Sequence, residues 1–272
     1  MRRYYTRVCN FYYGNESRFL VNSNKSIPLN GNKNISFDSI EIISRTSKKK
    51  ISINKINGLT KSLKKLIKND LKKLSSKKKN FSNLNFLQIP NIMGVLNLTP
   101  DSFSDGGKFN TSKKGVKHAL EMINSGANII DVGGESTRPG SKAVSNKIEW
   151  KRIEKIIKLI SKKIPISLDT RKSEIMRKGI KYGVKIINDV SGLDYDPETI
   201  NVLKKNKIPF VIQHSQGVPE NMQNKPRYKN ELLEIYDFFE QKINFLRKIG
   251  IKHSNIIIDP GIGFGKNLKH NI

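Results

Sequence analysis

Cysteine is almost missing from this chain. One residue, Cys9, stands among 272, which excludes an internal disulfide framework and a cysteine-built metal centre. Long apolar runs are also missing. None approaches the roughly 18 residues of a membrane-spanning helix. The opening residues, MRRYYTRVCNFYYG, are basic but lack the apolar stretch of a secretory signal. An acid-poor, Arg-containing start also suits an organellar address; the expectation is a cytoplasmic chain with no membrane attachment. Acidic residues are scarce, 23 against 51 Lys and Arg, for a net charge of +28. Hydrophobic residues make up 36%, a low share for a globular chain but too high for wholesale disorder. The length suits one large domain or two modest ones.

The charge is unevenly spread. Residues 1–90 hold 20 Lys and Arg and 4 Asp and Glu, net +16, and residues 91–272 hold 31 and 19, net +12. A basic surface attracts phosphorylated ligands, anionic lipid or nucleic acid. Lys, Asn and Ile are crowded throughout, so compositional drift explains the excess as well. Residues 1–88 read as a small basic accessory region. The segment 21–34 is polar, holds Pro28 and Gly31, and reads as loop. Ile40–Ile43 and Ile51–Ile53 read as short strands. Residues 59–74, LTKSLKKLIKNDLKKL, place Leu59, Leu63, Leu66, Ile67, Leu71 and Leu74 on one helical face, with lysines elsewhere. Such a helix covers apolar surface of its own protein or docks on a membrane or partner. Residues 75–80, SSKKKN, read as a linker.

Residues 89–272 follow a different pattern. Apolar runs at 92–98, 128–132, 164–168, 184–188, 208–213 and 255–258 alternate with helical stretches. Val116, Ala119, Leu120 and Ile123 mark one helix, ended at Gly126, and Ile153, Ile156, Ile157 and Ile160 mark a second. Asp196-Pro197 opens a third, and Leu232–Lys248 forms a fourth, stopped by Gly250. Strands alternating with helices form parallel βαβ units, whose strands are apolar because both faces are buried. Asn97, Asp131, Asp169, Asn188, His214 and Asp259 stand at or just past the C-terminal ends of the runs. That end carries the active site in parallel α/β folds. The expected fold is a (β/α)8 TIM-type barrel, incomplete, with about six βα units; a doubly wound sheet is the alternative.

Each strand end has a chemical and a plain reading. Asn97, in LNLTPDSFSDGG, can offer its amide oxygen to a hard cation or simply cap a turn. In DVGGESTRPGS, Gly133 and Gly134 admit a close ligand, and Thr137 and Arg138 suit a phosphate or carboxylate. Asp131 and Glu135 are site residues or scaffold that holds Arg138. Asp169, Asn188 and Asp259 together offer two carboxylates and an amide, the complement of a 2-amino-4-oxo pyrimidine edge as in pterins and guanine. Taken singly, Asp169 is also a helix cap and Asp259-Pro260-Gly261 a turn. DPGIGFGK lacks P-loop spacing, and His214 is structural or catalytic.

The strings MGVLNLTPDSFSDGG, IIDVGGESTRPGS, SLDTRK, INDVSG, QHSQG and IIIDPGIGFGK, in this order, closely resemble the dihydropteroate synthase family over residues 91–268. The resemblance implies a (β/α)8 barrel of folate synthesis, the target of sulfonamides. It condenses 6-hydroxymethyl-7,8-dihydropterin diphosphate with p-aminobenzoate and releases diphosphate. It further implies that Asn97 binds Mg²⁺ and, with Arg138 and Asp169, serves catalysis. Thr137 and Arg138 would lie near the diphosphate and p-aminobenzoate, and Asp169, Asn188 and Asp259 would hold the pterin. Small-molecule substrates are the expected partners, within a homodimer and without nucleic acid.

Two departures from the family follow. Gln213-His214-Ser215 stands where many relatives have Met-His-Met. The family also continues beyond DPGIGFGK with a Ser-Arg-Lys and an Arg-x-His segment, and this chain stops at Ile272. The expectation is a truncated sequence, inactive as it stands, of a parent synthase. A methyl-transferring pterin barrel and a basic RNA- or membrane-binding role for the N-terminal third are the competing readings.

Overall fold

The computed structural model describes residues 4–77, 91–99, 112–136, 141–217 and 226–271. The chain divides into two compact units, Met1–Ile89 and Pro90–Ile272. The boundary expected at 88/89 lies outside the described residues.

Among the described residues, the first unit is a four-stranded antiparallel sheet with two α-helices and a 3-10 helix (Ile53–Gly58). Its elements are β1 (Tyr5–Tyr13), α1 (Gly14–Asn22), β2 (Ile27–Leu29), β3 (Asn32–Ile43), β4 (Lys48–Ser52) and α2 (Lys61–Ser75). The long β3 pairs β1 along one side and β2, then β4, along the other. Phe37, Ile40, Ile42, Ile51 and Ile56 meet Ile67 and Leu71 of α2 in one core. The amphipathic pattern thus covers the unit's own apolar surface. Exposed Lys48, Lys49 and Lys50 on β4 discourage pairing with a foreign strand. The segment 21–34 is not a loop. It holds the end of α1, all of β2 and a hairpin turn at Asn30 (φ 53°) and Gly31 (φ 72°). Asn-Gly is a strong hairpin signal because both residues tolerate positive φ, and Pro28 is accommodated in the short strand β2. Ser75 belongs to α2, and residues 78–80 of the expected linker lie outside the described residues.

Among the described residues, the second unit has six parallel strands: β5 (Met93–Asn97), β6 (Ile129–Gly133), β7 (Ile166–Asp169), β8 (Ile186–Asp189), β9 (Phe210–Gln213) and β10 (Ile256–Asp259). Between them lie α3 (Ser112–Asn124), α4 (Asn146–Ile160), α5 (Ser173–Lys181), α6 (Glu198–Asn206) and α7 (Glu231–Lys248), and α8 (Leu268–Asn271) follows. Every strand pairs with its neighbours in chain order, from β5 to β10. That order decides between the two candidate folds. A doubly wound sheet reverses its strand order at a switch point, whereas a barrel does not. The unit is therefore six βα units of a (β/α)8-type barrel. Ile130, Val132, Leu168, Ile187 and Ile212 are fully buried and pack with Ile153, Ile156 and Ile157 of α4 and Val202 and Leu203 of α6. The helix α5, absent from the periodicity reading, buries Ile175 and Met176.

Candidate active site at the strand ends

Register puts the polar strand ends on one face. Asn97 pairs with Gly133, Gly133 with Asp169, and Asp169 with Asn188. Asn188 pairs with Val211, and two residues on, Gln213 pairs with Asp259. Paired residues point the same way, as do residues two apart in a strand. Asp131, two before Gly133, shares that face. Asn97, Asp131, Asp169, Asn188, Gln213 and Asp259 thus turn away from the helices, which the alternate apolar residues face.

Gly133 is the close-approach point. A Cβ there would lie 3.0 Å from Asp169 Oδ2 and 3.1 Å from Asn97 Oδ1. Two oxygens therefore converge on a space that only glycine leaves open. Asn188 Nδ2 donates to Asp131 Oδ2 at 3.2 Å. Asp131 Oδ1, Asn188 Oδ1 and Gln213 Nε2 are buried and have no hydrogen-bond partner among the described residues. Buried polar groups are normally paired, and leaving one unpaired costs about 1–3 kcal/mol. A group of orphans on one patch of sheet is the mark of a site built for a polar ligand. Burial pushes the Asp131 carboxyl up to about 6. Burial, then the Asp131 charge, holds Asp169 well above the ordinary carboxylate range. Both carboxyls thus hold their protons more tightly than a free carboxylate does.

A cavity of about 460 Å³ opens beside this patch, bordered by Asp169, Arg171, Tyr195, Gln213, Phe238 and Phe264. The Arg171 guanidinium lies 3.9 Å from the centre of the Tyr195 ring, and its Nε donates to Glu135 Oε2 at 2.8 Å.

The wall behind the cavity is a buried ion network. Lys172 Nζ donates to Glu135 Oε1 and Glu149 Oε2, each at 2.7 Å, and to the Val144 carbonyl at 2.6 Å. The Val144 N–H donates back to Glu135 Oε1 at 2.9 Å, and the Thr170 hydroxyl donates to Glu149 Oε1 at 2.6 Å. Burial raises the Glu135 carboxyl, but its bonds to Arg171 and Lys172 outweigh that and hold it below the usual range. For the deeper Glu149, burial wins and its proton is held more tightly.

Sequence-predicted residues fall into three groups. Asn97 and Asp169 converge at Gly133, and Asn188 joins them through Asp131. Asp259 ends β10 beside Gln213, where its Oδ1 accepts from the Gly261 N–H at 2.8 Å. Only Asp169 of this set borders the cavity. Thr137 and Arg138 lie outside the described residues. The open choice for Asp131 and Glu135 splits: Asp131 is in the polar patch, and Glu135 is scaffold for Arg171 and Lys172. Periodicity did not single out Lys172, because a lysine in a loop is mostly exposed and only the fold shows its buried partners. His214 is packed at its ring against Phe238, Phe239 and Tyr228.

Residues 93–272 match the family model described as pterin binding enzyme. The dihydropteroate synthase of Synechocystis sp. is 42% identical over 183 residues, 66% of this chain and 63% of that protein. This chain therefore spans a little under two thirds of that relative's length. The structure of Yersinia pestis dihydropteroate synthase with a sulfonamide drug complex is similar at TM-score 0.63 and 39% identity, covering 67% of this chain and 66% of that one. That of the Xanthomonas albilineans enzyme with 4-aminobenzoic acid matches at TM-score 0.61 and 37% identity, over 67% and 65%. With the matched region taking in all six parallel strands and the orphaned polar patch at their ends, the chain belongs to the pterin-binding enzyme family.

Proposed function

We propose that the chain carries the pterin-holding part of a dihydropteroate synthase. The reaction joins 6-hydroxymethyl-7,8-dihydropterin diphosphate to p-aminobenzoate, releasing diphosphate. The single observation that carries this reading is the set of unpartnered buried atoms on Asp131, Asn188 and Gln213. A pterin's 2-amino-4-oxo edge presents adjacent N–H donors and a carbonyl acceptor. An ionised Asp131 accepts the paired N–H groups, and the Asn188 and Gln213 amides complete the match. Asp169, whose carboxyl burial holds well above the ordinary range, borders the same cavity. Held at its edge, the ring directs its exocyclic methylene toward the cavity. There Phe264, Phe238 and Tyr195 offer apolar surface to the aromatic amine that attacks the methylene carbon.

Mg²⁺, the expected cofactor, fits the donor set in one respect. Asn97 presents a neutral oxygen at the sheet end, suited to a hard cation that takes its other ligands from diphosphate and water. When bound, the ion would neutralise the departing diphosphate. Thr137 and Arg138 complete the proposed anion site, and Asp259 the proposed pterin site. A homodimeric assembly and a cytoplasmic location belong to the same reading; light scattering and cell fractionation test them.

Calorimetric titration of the chain with 6-hydroxymethylpterin tests the central claim. Saturable binding is expected, weakened about 10- to 150-fold in Asp131→Asn, since a charge-assisted bond contributes about 1.5–3 kcal/mol, and about 2- to 10-fold in Asn188→Ala, since a neutral one contributes about 0.5–1.5 kcal/mol. Absence of binding to the folded wild-type chain sinks the reading.

A further inference from the structure

Lys266 is a buried cation with no carboxylate beside it. Its side chain lies in the loop after β10 and the residue is 4% exposed. The ammonium donates to the carbonyls of Gly261 and Phe264, each at 3.0 Å, and of His214 at 3.2 Å. His214 Nδ1 lies 3.0 Å away. No carboxylate oxygen stands within ion-pair distance among the described residues. An unpaired buried charge is costly, so the protein sustains this one by wrapping backbone carbonyls around it. The wrapping is tight. At Gly261 (φ +66°) a Cβ would lie 2.1 Å from the His214 carbonyl oxygen, and at Gly265 (φ +59°) one would lie 2.5 Å from that of Gln216. The Tyr228 hydroxyl donates to the Gly265 carbonyl at 2.9 Å, and the His214 N–H to the Asp259 carbonyl at 2.9 Å.

The segments so joined are two walls of one site. Gln213 and Ser215 border the cavity from the β9 side and Phe264 from the β10 side. The Gln213 Cγ lies 3.2 Å from the Cβ position of Gly261, so Gln213 rests on the loop that the ammonium gathers. We infer that Lys266 is a positioning residue. By drawing the carbonyls of His214, Gly261 and Phe264 onto one ammonium, it sets the Gln213 amide and the Phe264 ring for the ligand. This deepens the proposed function and rests on it for the identity of that ligand.

The geometry carries a pH signature. Burial pulls the Lys266 ammonium down to about 8, and nearby Asp259 pulls the other way. Burial, then the Lys266 charge, takes His214 down to about 4, so it stays a neutral acceptor. Burial, then Glu234, takes the facing Tyr228 up to about 12. Lys266 is thus the group in this cluster that titrates between pH 7 and 9.5, and losing its proton removes one donor from the carbonyl set.

The test follows amide resonances of residues 213–216 and 261–265 by NMR from pH 6.5 to 9.5, alongside 6-hydroxymethylpterin affinity by calorimetry. Both segments are expected to titrate together near pH 8. With affinities corrected for the pterin ring's own N–H ionisation, wild-type affinity should fall about tenfold over the range, and Lys266→Met should bind about tenfold more weakly at pH 7 with no pH dependence left. Segments that do not move with pH, or a Lys266→Met chain that binds like wild type, overturn the proposal. If Lys266→Met does not fold, the wild-type titration decides alone. A wild-type chain that binds no pterin at pH 7 overturns the proposed function. The coupled titration then still decides whether Lys266 holds the two segments.

Discussion

Asp131 and Asp169 stand on adjacent strands with little water to separate their charges. The Asp131 charge is the second cause, after burial, of the upward shift at Asp169. Asp131→Asn should therefore move the Asp169 titration down toward the ordinary range, as read by carboxyl-carbon NMR; an unmoved Asp169 would refute the Asp131 contribution. Asp189 makes a separate prediction. Burial raises its carboxyl to about 6 from 3.8, against two bonds from Ser191. Between about pH 4 and pH 6 the folded chain holds a proton that the unfolded chain has released. Stability from this residue is thus present at low pH and lost as pH rises through about 6. Asp189→Asn removes that slope. Its effect on stability should be more favourable at pH 8 than at pH 4 by on the order of 3 kcal/mol, measured by urea denaturation at both pH values. An equal effect at both would refute it.

At the scale of elements, the residues just past β7 tie three segments together. Lys172 bridges the end of β6, through Glu135, to α4, through Glu149, and reaches the Val144 carbonyl before that helix begins. Its stem sits where α5 starts, so strand, loop and two helices share one ammonium. Removing it leaves two buried carboxylates facing each other. Lys172→Met is expected to cost about 3–5 kcal/mol in denaturant unfolding, and adding Glu149→Leu should recover part of that loss by removing the deeper orphan. A single variant that unfolds like wild type would show the network to be energetically idle. Gly134 explains how α4 comes so near: a Cβ there would lie 2.8 Å from the Glu149 carbonyl oxygen. The strand end and the helix backbone are in contact, with no side chain between.

For the whole molecule, net charge dominates. A surplus of +28 repels itself in the folded state, and salt screens it. Raising ionic strength from about 0.01 M to about 0.1 M shortens the Debye length from about 30 Å to about 10 Å. Tm is expected to rise by a few degrees over that interval, in differential scanning calorimetry at pH 7. A falling Tm would mean that favourable ion pairs outweigh the general repulsion. Each unit has its own core, built around Phe37 and Ile67 in the first and around the six strands and their helices in the second.

Much of the second unit could be read directly. Strands buried on both faces must be apolar, so all six stood out, and the polar residue closing each one marked the functional end. The first unit was harder, because a three-residue strand such as β2 leaves no periodicity and the Asn30-Gly31 turn was obscured by polar neighbours. What the sequence determined by itself is local: helix faces, strand runs, turn residues and the six motifs that carry the family resemblance. What only the tertiary structure decided is relational. Strand order excluded the doubly wound sheet. Register put Asn97, Asp131, Asp169, Asn188 and Gln213 on one face. Burial separated Asp131, whose Oδ1 has no partner among the described residues, from Glu135, which is consumed by Lys172 and Arg171. These outcomes depend on distances between residues tens of positions apart. No local preference encodes them, and they appear only when the strands pair and water is excluded from their ends.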